Sequence, residues 1–220
     1  MFRAFFDENN PIMKGLSVAA DLIVGNLLAL ACALPLVTAG ASYAALCTLC
    51  RKLVRNEEGY LLRDYLRAFR SNLKGGSLLG TAFLLCSLVL YVDYRLAAWV
   101  LPILRVGVTA VWFCLLSLAL YAFPLLARYE QSLWTTVKNA AALAVAYFPR
   151  TAGMVFCTAG FWVVALSAPV LTALLPLFGL SLPCYVCALL CDPILDRLEG
   201  KDGKTGGNAD SHADTLDSKE

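Results

Sequence analysis

Two cysteine pairs carry the two-residue spacing of zinc ligands: Cys47-Thr48-Leu49-Cys50, and Cys184-Tyr185-Val186-Cys187 followed by Cys191. Such a site needs several thiolates or imidazoles to converge. Both pairs fall on apolar helical stretches, and the single histidine, His212, stands far away in a polar tail. Cys32, Cys86, Cys114 and Cys157 sit singly inside apolar runs, where no oxidising solvent reaches them. The cysteines therefore read as small packing residues, and neither a metal nor another cofactor is expected.

The carboxylates Asp21 and Asp93 are the next candidates, and both lie near span ends. An ionisable group inside a span costs on the order of 3 kcal/mol and usually has a partner. Asp21 follows Ser17 by about one turn, so it reads as a helix-start residue favoured by the free amides and paired with a loop cation. An intramembrane functional carboxylate is the other reading. Asn26 can hydrogen-bond across helices, worth roughly 0.6 kcal/mol on average. Phosphate-binding Gly-rich loops, a His-Glu pair on a helix and a nucleophile elbow are all missing from the sequence, so an enzyme is not expected.

Positive charge is better organised. Between residues 60 and 74, Leu61, Tyr65, Phe69 and Leu73 recur every fourth position with Leu62 and Leu66 beside them, while Arg63, Arg67, Arg70 and Lys74 line the opposite face. The spacing predicts an amphipathic helix lying on the membrane surface. Anionic headgroups would hold each cation by about 1 kcal/mol; an acidic cytoplasmic partner is the alternative. Nucleic acid is not expected, because no stacking platform or DNA-reading motif accompanies the charge. Residues 131–148 repeat the pattern more weakly, with Leu133, Trp134, Val137, Ala141, Ala144 and Phe148 at helical spacing and Lys138-Asn139 on the polar side. Asn72, Arg128, Lys138 and Asn139 mark the same face, and a degenerate repeat would bring Asn72 and Asn139, with Lys74 and Lys138 beside them, around a shared site. Gly75-Gly76 reads as a helix break.

These residues need elements to position them. Sixty per cent of the 220 residues are hydrophobic and only 15% are charged, too few to clothe a water-soluble core. Apolar runs predict spans at about 16–36, 40–55, 76–93, 106–126, 151–168 and 175–191, with interfacial helices at about 60–73 and 131–148. The chain turns first at Leu34-Pro35-Leu36-Val37-Thr38-Ala39-Gly40-Ala41-Ser42, where Pro35 ends a helix, Gly40 permits a turn, and Thr38 or Ser42 can cap the next helix. The following arm is short. If it crosses, there are six membrane helices with both termini on the side of the basic loop; if it re-enters, there are five.

The expected fold is an all-α polytopic bundle over residues 1–198 and a solvated tail over 199–220. Phe2, Phe5 and Phe6 form an aromatic anchor ahead of the first span, which is expected to stay attached because Asp7 and Glu8 replace a basic leader. Arg51, Lys52, Arg55 and the 63–74 stripe place that loop and the tail in the cytoplasm.

Together these stretches resemble the YesL family of bacterial integral membrane proteins. The resemblance rests on the 34–42 stretch with Ala45-Leu46, on Lys52-Leu53-Val54-Arg55-Asn56-Glu57, on Phe69-Arg70-Ser71-Asn72-Leu73-Lys74-Gly75, and on Pro124-Leu125-Leu126-Ala127-Arg128-Tyr129 leading to Val137-Lys138-Asn139-Ala140. Proteins of that family have no assigned activity and are often encoded beside carbohydrate ABC importers. The resemblance implies a non-catalytic accessory or regulatory component, with importer subunits as partners, and supplies no catalytic residue. A small transporter in its own right is the alternative.

Overall fold

Apolar runs of this length form helices, because only a helix satisfies its backbone internally where water is absent. The computed structural model describes residues 11–55, 57, 59–100, 103–129, 132–167 and 169–193. The aromatic anchor at Phe2, Phe5 and Phe6, His212 and the tail 199–220 lie outside the described residues. Helices α1 (Pro11–Ala33) and α2 (Ala39–Val54) flank a short 3-10 turn at Leu36–Thr38. Then follow α3 (Leu61–Val100), α4 (Leu104–Arg128), α5 (Leu133–Ala146), α6 (Phe148–Ser167) and α7 (Pro169–Phe178). The last described helix, α8, covers 181–193, and no strand occurs among the described residues.

Among the described residues, five segments are long and apolar enough to cross a membrane: Gly15–Ala33, Leu61–Ala97, Leu104–Arg128, Phe148–Ser167 and Leu175–Pro193. Their outer faces carry Leu27, Leu85, Leu88, Val111, Phe156 and Val163, all exposed, a surface suited to hydrocarbon rather than water. Helix α2 is shorter, at 16 residues, and sits at the centre of the bundle. Ala41, Ala44, Ala45, Leu46 and Cys50 are wholly buried, and the helix packs against α1, α3 and α4.

The first departure from expectation is α3. It runs without interruption for 40 residues, through the position where Gly75-Gly76 was expected to separate an interfacial helix from a span. At 1.5 Å per residue it is about 60 Å long, twice the hydrocarbon thickness of a bilayer. The glycines serve close packing instead. Gly76 and Gly80 form a Gly-x-x-x-Gly ridge, and Gly40 of α2 lies directly on it; a methyl group on Gly40 would collide with the Gly76 carbonyl, and one on Gly76 would sit 2.7 Å from the Ala41 Cα. Small residues spaced in this way let two helices approach to backbone contact, as they do at membrane helix crossings.

The turn before α2 also differs in detail. Thr38 does not cap α2. Its hydroxyl donates back to the carbonyls of Cys32 (2.7 Å) and Pro35 (2.8 Å), satisfying acceptors left free where α1 ends. Ser42 likewise donates to the Ala29 carbonyl at 2.7 Å and meets the Tyr65 hydroxyl at 2.9 Å, which ties α1, α2 and α3 together inside the core.

Further along, the weaker amphipathic helix expected at 131–148 ends short of that bound. Helix α5 stops at Ala146 and α6 starts at Phe148, leaving Tyr147 alone as the joint. Pro149 then lies in the first turn of α6, where its missing N–H is no loss. Buried Thr151 secures the joint: its hydroxyl reaches the Ala144 and Tyr147 carbonyls at 3.0 and 3.1 Å and the Tyr121 hydroxyl of α4 at 3.2 Å.

Candidate functional site

Helices α2, α4 and α8 bring their C-terminal ends together at the basic end of the bundle. A helix C-terminus favours cations, which explains Arg51 and Lys52 in the last turn of α2 and Arg128 in the last turn of α4. Asp192, near the end of α8, is the exception; it is buried, and the local helix dipole opposes its charge. Two arginines compensate. Arg55 Nε meets Asp192 Oδ2 at 2.6 Å, and Arg128 Nη1 lies 3.6 Å from Asp192 Oδ1. The Arg128 and Asp192 side chains are only 8% and 7% exposed. A carboxylate so deeply buried is tolerable only with charged hydrogen-bond donors on it.

Arg51 lies beside this pair, one turn before Arg55 on α2, and its Nε is buried with no hydrogen-bond partner among the described residues. Two guanidinium groups thus engage one carboxylate with a third arginine nearby, a local excess of positive charge. Arg51, Arg128 and Asp192 also line a narrow chamber of about 30 Å³, together with Tyr43, Cys47, Leu120, Pro124, Cys184 and Cys187. Cys47, Cys50, Cys184, Cys187 and Cys191 are all buried along this seam between α2 and α8. The two spaced pairs, distant in sequence, therefore face each other, with Cys184 Sγ 3.5 Å from Cys47 Sγ. Among the described residues no group of three His, Cys, Asp or Glu side chains is arranged to hold a metal ion.

Asp21 lies elsewhere. It lines a separate cavity of about 260 Å³ with Lys52, Glu57 and Asp64. Lys52 gives its ammonium to Asp64 at 2.9 Å, so the cation nearest to hand is engaged by a different carboxylate. Asn26 has a structural task larger than a single cross-helix bond. Wholly buried in α1, its Oδ1 accepts from the amides of Leu180 (2.9 Å) and Ser181 (3.1 Å), and its Nδ2 donates to the Pro176 carbonyl at 2.6 Å. It caps α8 from another helix and closes the break between α7 and α8.

The surface candidates divide. Arg63, Arg67, Arg70 and Lys74 are all exposed along the first third of α3, as a solvated or headgroup-facing stripe should be. Asn72, Arg128 and Lys138 each have a local engagement. Asn72 donates to the Ala68 carbonyl of its own helix at 2.9 Å, Lys138 lies over the Trp134 ring at 5.6 Å, and Arg128 turns inward to Asp192. Asn139 is exposed on α5. Asp192 escaped sequence reasoning because Asp192-Pro193 looks like a helix exit; its only local signal was a carboxylate placed where the helix dipole is unfavourable.

The first half of this architecture has a counterpart among known families. Residues 22–94 match the model for "Protein of unknown function, DUF624". That stretch holds Asn26, the 34–42 turn, all of α2 with Arg51, and the glycine ridge of α3. An uncharacterized protein of Bacillus subtilis (strain 168), YteU, is 26% identical over 165 residues, 73% of each chain. No solved structure matches.

Chemically, the buried cluster can hold helices in register and present positive charge near the membrane surface. The thiol-lined chamber holds roughly one or two water molecules by volume.

Proposed function

We propose that the chain is a DUF624 protein of the YesL kind, a multi-pass protein of the bacterial cytoplasmic membrane that acts as a non-catalytic accessory or regulatory component beside a carbohydrate ABC importer. In this reading α2 is a sixth crossing, both termini are cytoplasmic, and the basic end faces the cytoplasm. The helix ends joined by Lys52–Asp64 and Arg55–Asp192 put the charges of α2, α3 and α8 at one end of the bundle, which supports that orientation.

One observation carries the choice of accessory over transporter. A solute path would need the polar groups Asp21 and Arg128 in one water-filled space. They line separate cavities, and the chamber beside Arg128 has a volume of about 30 Å³. Small-molecule sites are generally about 300–1,000 Å³. Contacts with other molecules then fall to the exposed basic stripe of Arg63, Arg67, Arg70 and Lys74, which meets anionic headgroups or an acidic face of an importer subunit.

The test is purification from native membranes in mild detergent. Importer subunits should accompany the wild-type chain and be lost from a variant with the four stripe cations changed to Gln. Purification of the wild-type chain free of any importer subunit would overturn the assignment.

A further inference from the structure

Arg63, Arg67, Arg70 and Lys74 are exposed on α3, and none of them pairs with a carboxylate among the described residues. Asp64, the acidic residue beside Arg63, is held by Lys52 at 2.9 Å. Cations three and four residues apart on one helix face repel one another. A polyanion laid along them relieves that repulsion.

The sequence carries one of matching pattern. Asp210, Asp214 and Asp217 stand four and then three residues apart, the same intervals that separate Arg63, Arg67 and Arg70. From Asn208 to Glu220 there are four carboxylate side chains and one lysine. This segment lies outside the described residues, but the helix that precedes it does not. Asp192, near the end of α8, pairs with Arg55 just past the end of α2, and Lys52 in the last turn of α2 pairs with Asp64 beside Arg63. The described end of α8 therefore lies by the end of α2, where the stripe begins. From Asp192 to Asp210 a chain can reach up to about 60 Å, whereas the stripe from 63 to 74 is only about 17 Å long. Length is no obstacle.

We infer that residues 208–220 dock on the α3 stripe of the same chain, with Asp210, Asp214 and Asp217 against Arg63, Arg67 and Arg70, as a tethered electrostatic cover. The inference rests on the reading of the stripe as a contact surface and gives that surface an occupant of its own. Single exposed ion pairs are weak and are screened by salt. Tethering supplies what they lack, because a segment of the same chain presents its charges at a high effective concentration. The cover is exchangeable: an anionic membrane surface or an acidic protein face has to displace it, and salt loosens it.

The experiment uses the full chain, purified alone in zwitterionic detergent micelles, so that neither anionic lipid nor an importer subunit competes. Phenylglyoxal, which modifies accessible guanidinium groups, is the probe, read by peptide mapping. Arg63, Arg67 and Arg70 should be modified several-fold more slowly in the wild-type chain than in the triple variant Asp210→Asn, Asp214→Asn, Asp217→Asn. The difference should vanish at about 1 M salt, where the screening length is about 3 Å. Exposed Arg95, toward the other end of α3, should react equally in both chains. The photo-crosslinker p-benzoylphenylalanine in place of Leu216 should join residues 60–75 at monomer mass. All these substitutions lie beyond residue 193, so the described helices keep their own residues. Equal modification of the stripe in the two chains would overturn the inference, as would the absence of a cross-link to residues 60–75 or a cross-link only at twice the monomer mass. Because the chain is pure, any of these failures leaves the importer assignment to its own co-purification test.

Discussion

Replacing Gly80 by alanine tests the α2–α3 crossing with the smallest possible change. The added carbon would sit 2.8 Å from the Gly40 nitrogen and closer still to the Gly40 Cα, whereas ordinary contacts begin at 3.4 Å. The opposing atoms are backbone, so no side chain can rotate away, and the helices must part by roughly 1 Å in a close-packed interior. Overpacking of this kind costs up to about 3 kcal/mol. Alanine's helix propensity returns about 1 kcal/mol of that. The net loss is about 2 kcal/mol, which for a chain of this size lowers Tm by about 4–8 °C. Gly107, Gly153 and Gly160 supply the control: each is helical, and nothing lies within 4 Å of an added carbon. Alanine there should raise Tm by about 2–4 °C through propensity alone. A thiol-reactive dye follows unfolding directly, since five cysteines are buried until the helices separate. The reasoning fails if Gly80→Ala matches the controls in sign.

Three further outcomes follow from other parts of the molecule. Asn26→Leu strands the Leu180 and Ser181 amides and the Pro176 carbonyl; each unsatisfied group costs about 1–3 kcal/mol, and hydrogen exchange at residues 180–181 should rise well above wild type. Unchanged exchange would reject the cap. Asp192→Asn removes the counter-charge of buried Arg128 and should destabilise by about 3–5 kcal/mol, whereas Asp93→Asn, at an exposed position on α3, should fall within about 0.5 kcal/mol of wild type. Equal melting of the two variants would contradict the ion cluster. Spin labels at residues 63 and 90 of α3 should lie about 40 Å apart if the helix is continuous; a value near 30 Å would restore a bend at Gly75-Gly76.

Hydropathy made much of this fold legible. The apolar runs announced the long helices, and Pro35 marked the first turn, because both signals are local; Gly40, expected to permit that turn, lies instead inside α2. What stayed hidden depended on partners far away in sequence. A glycine pair breaks a helix or admits a neighbour, and nothing around Gly75-Gly76 tells which; the answer lies in Gly40, on another helix. Asp192 read as an exit residue because its arginines, Arg55 and Arg128, come from α2 and α4. Asn26 was read correctly as a cross-helix donor, while its acceptor role toward Leu180 and Ser181 required knowing where α7 breaks. The basic stripe was the most legible candidate, since its periodicity and exposure are properties of one helix.

The central functional claim is that this bundle assists transport without itself forming a path. Its most direct test is uptake of labelled mono- and oligosaccharides by vesicles containing only the purified chain. The account predicts no uptake above empty vesicles, with or without a proton gradient; saturable uptake by the chain alone would contradict it.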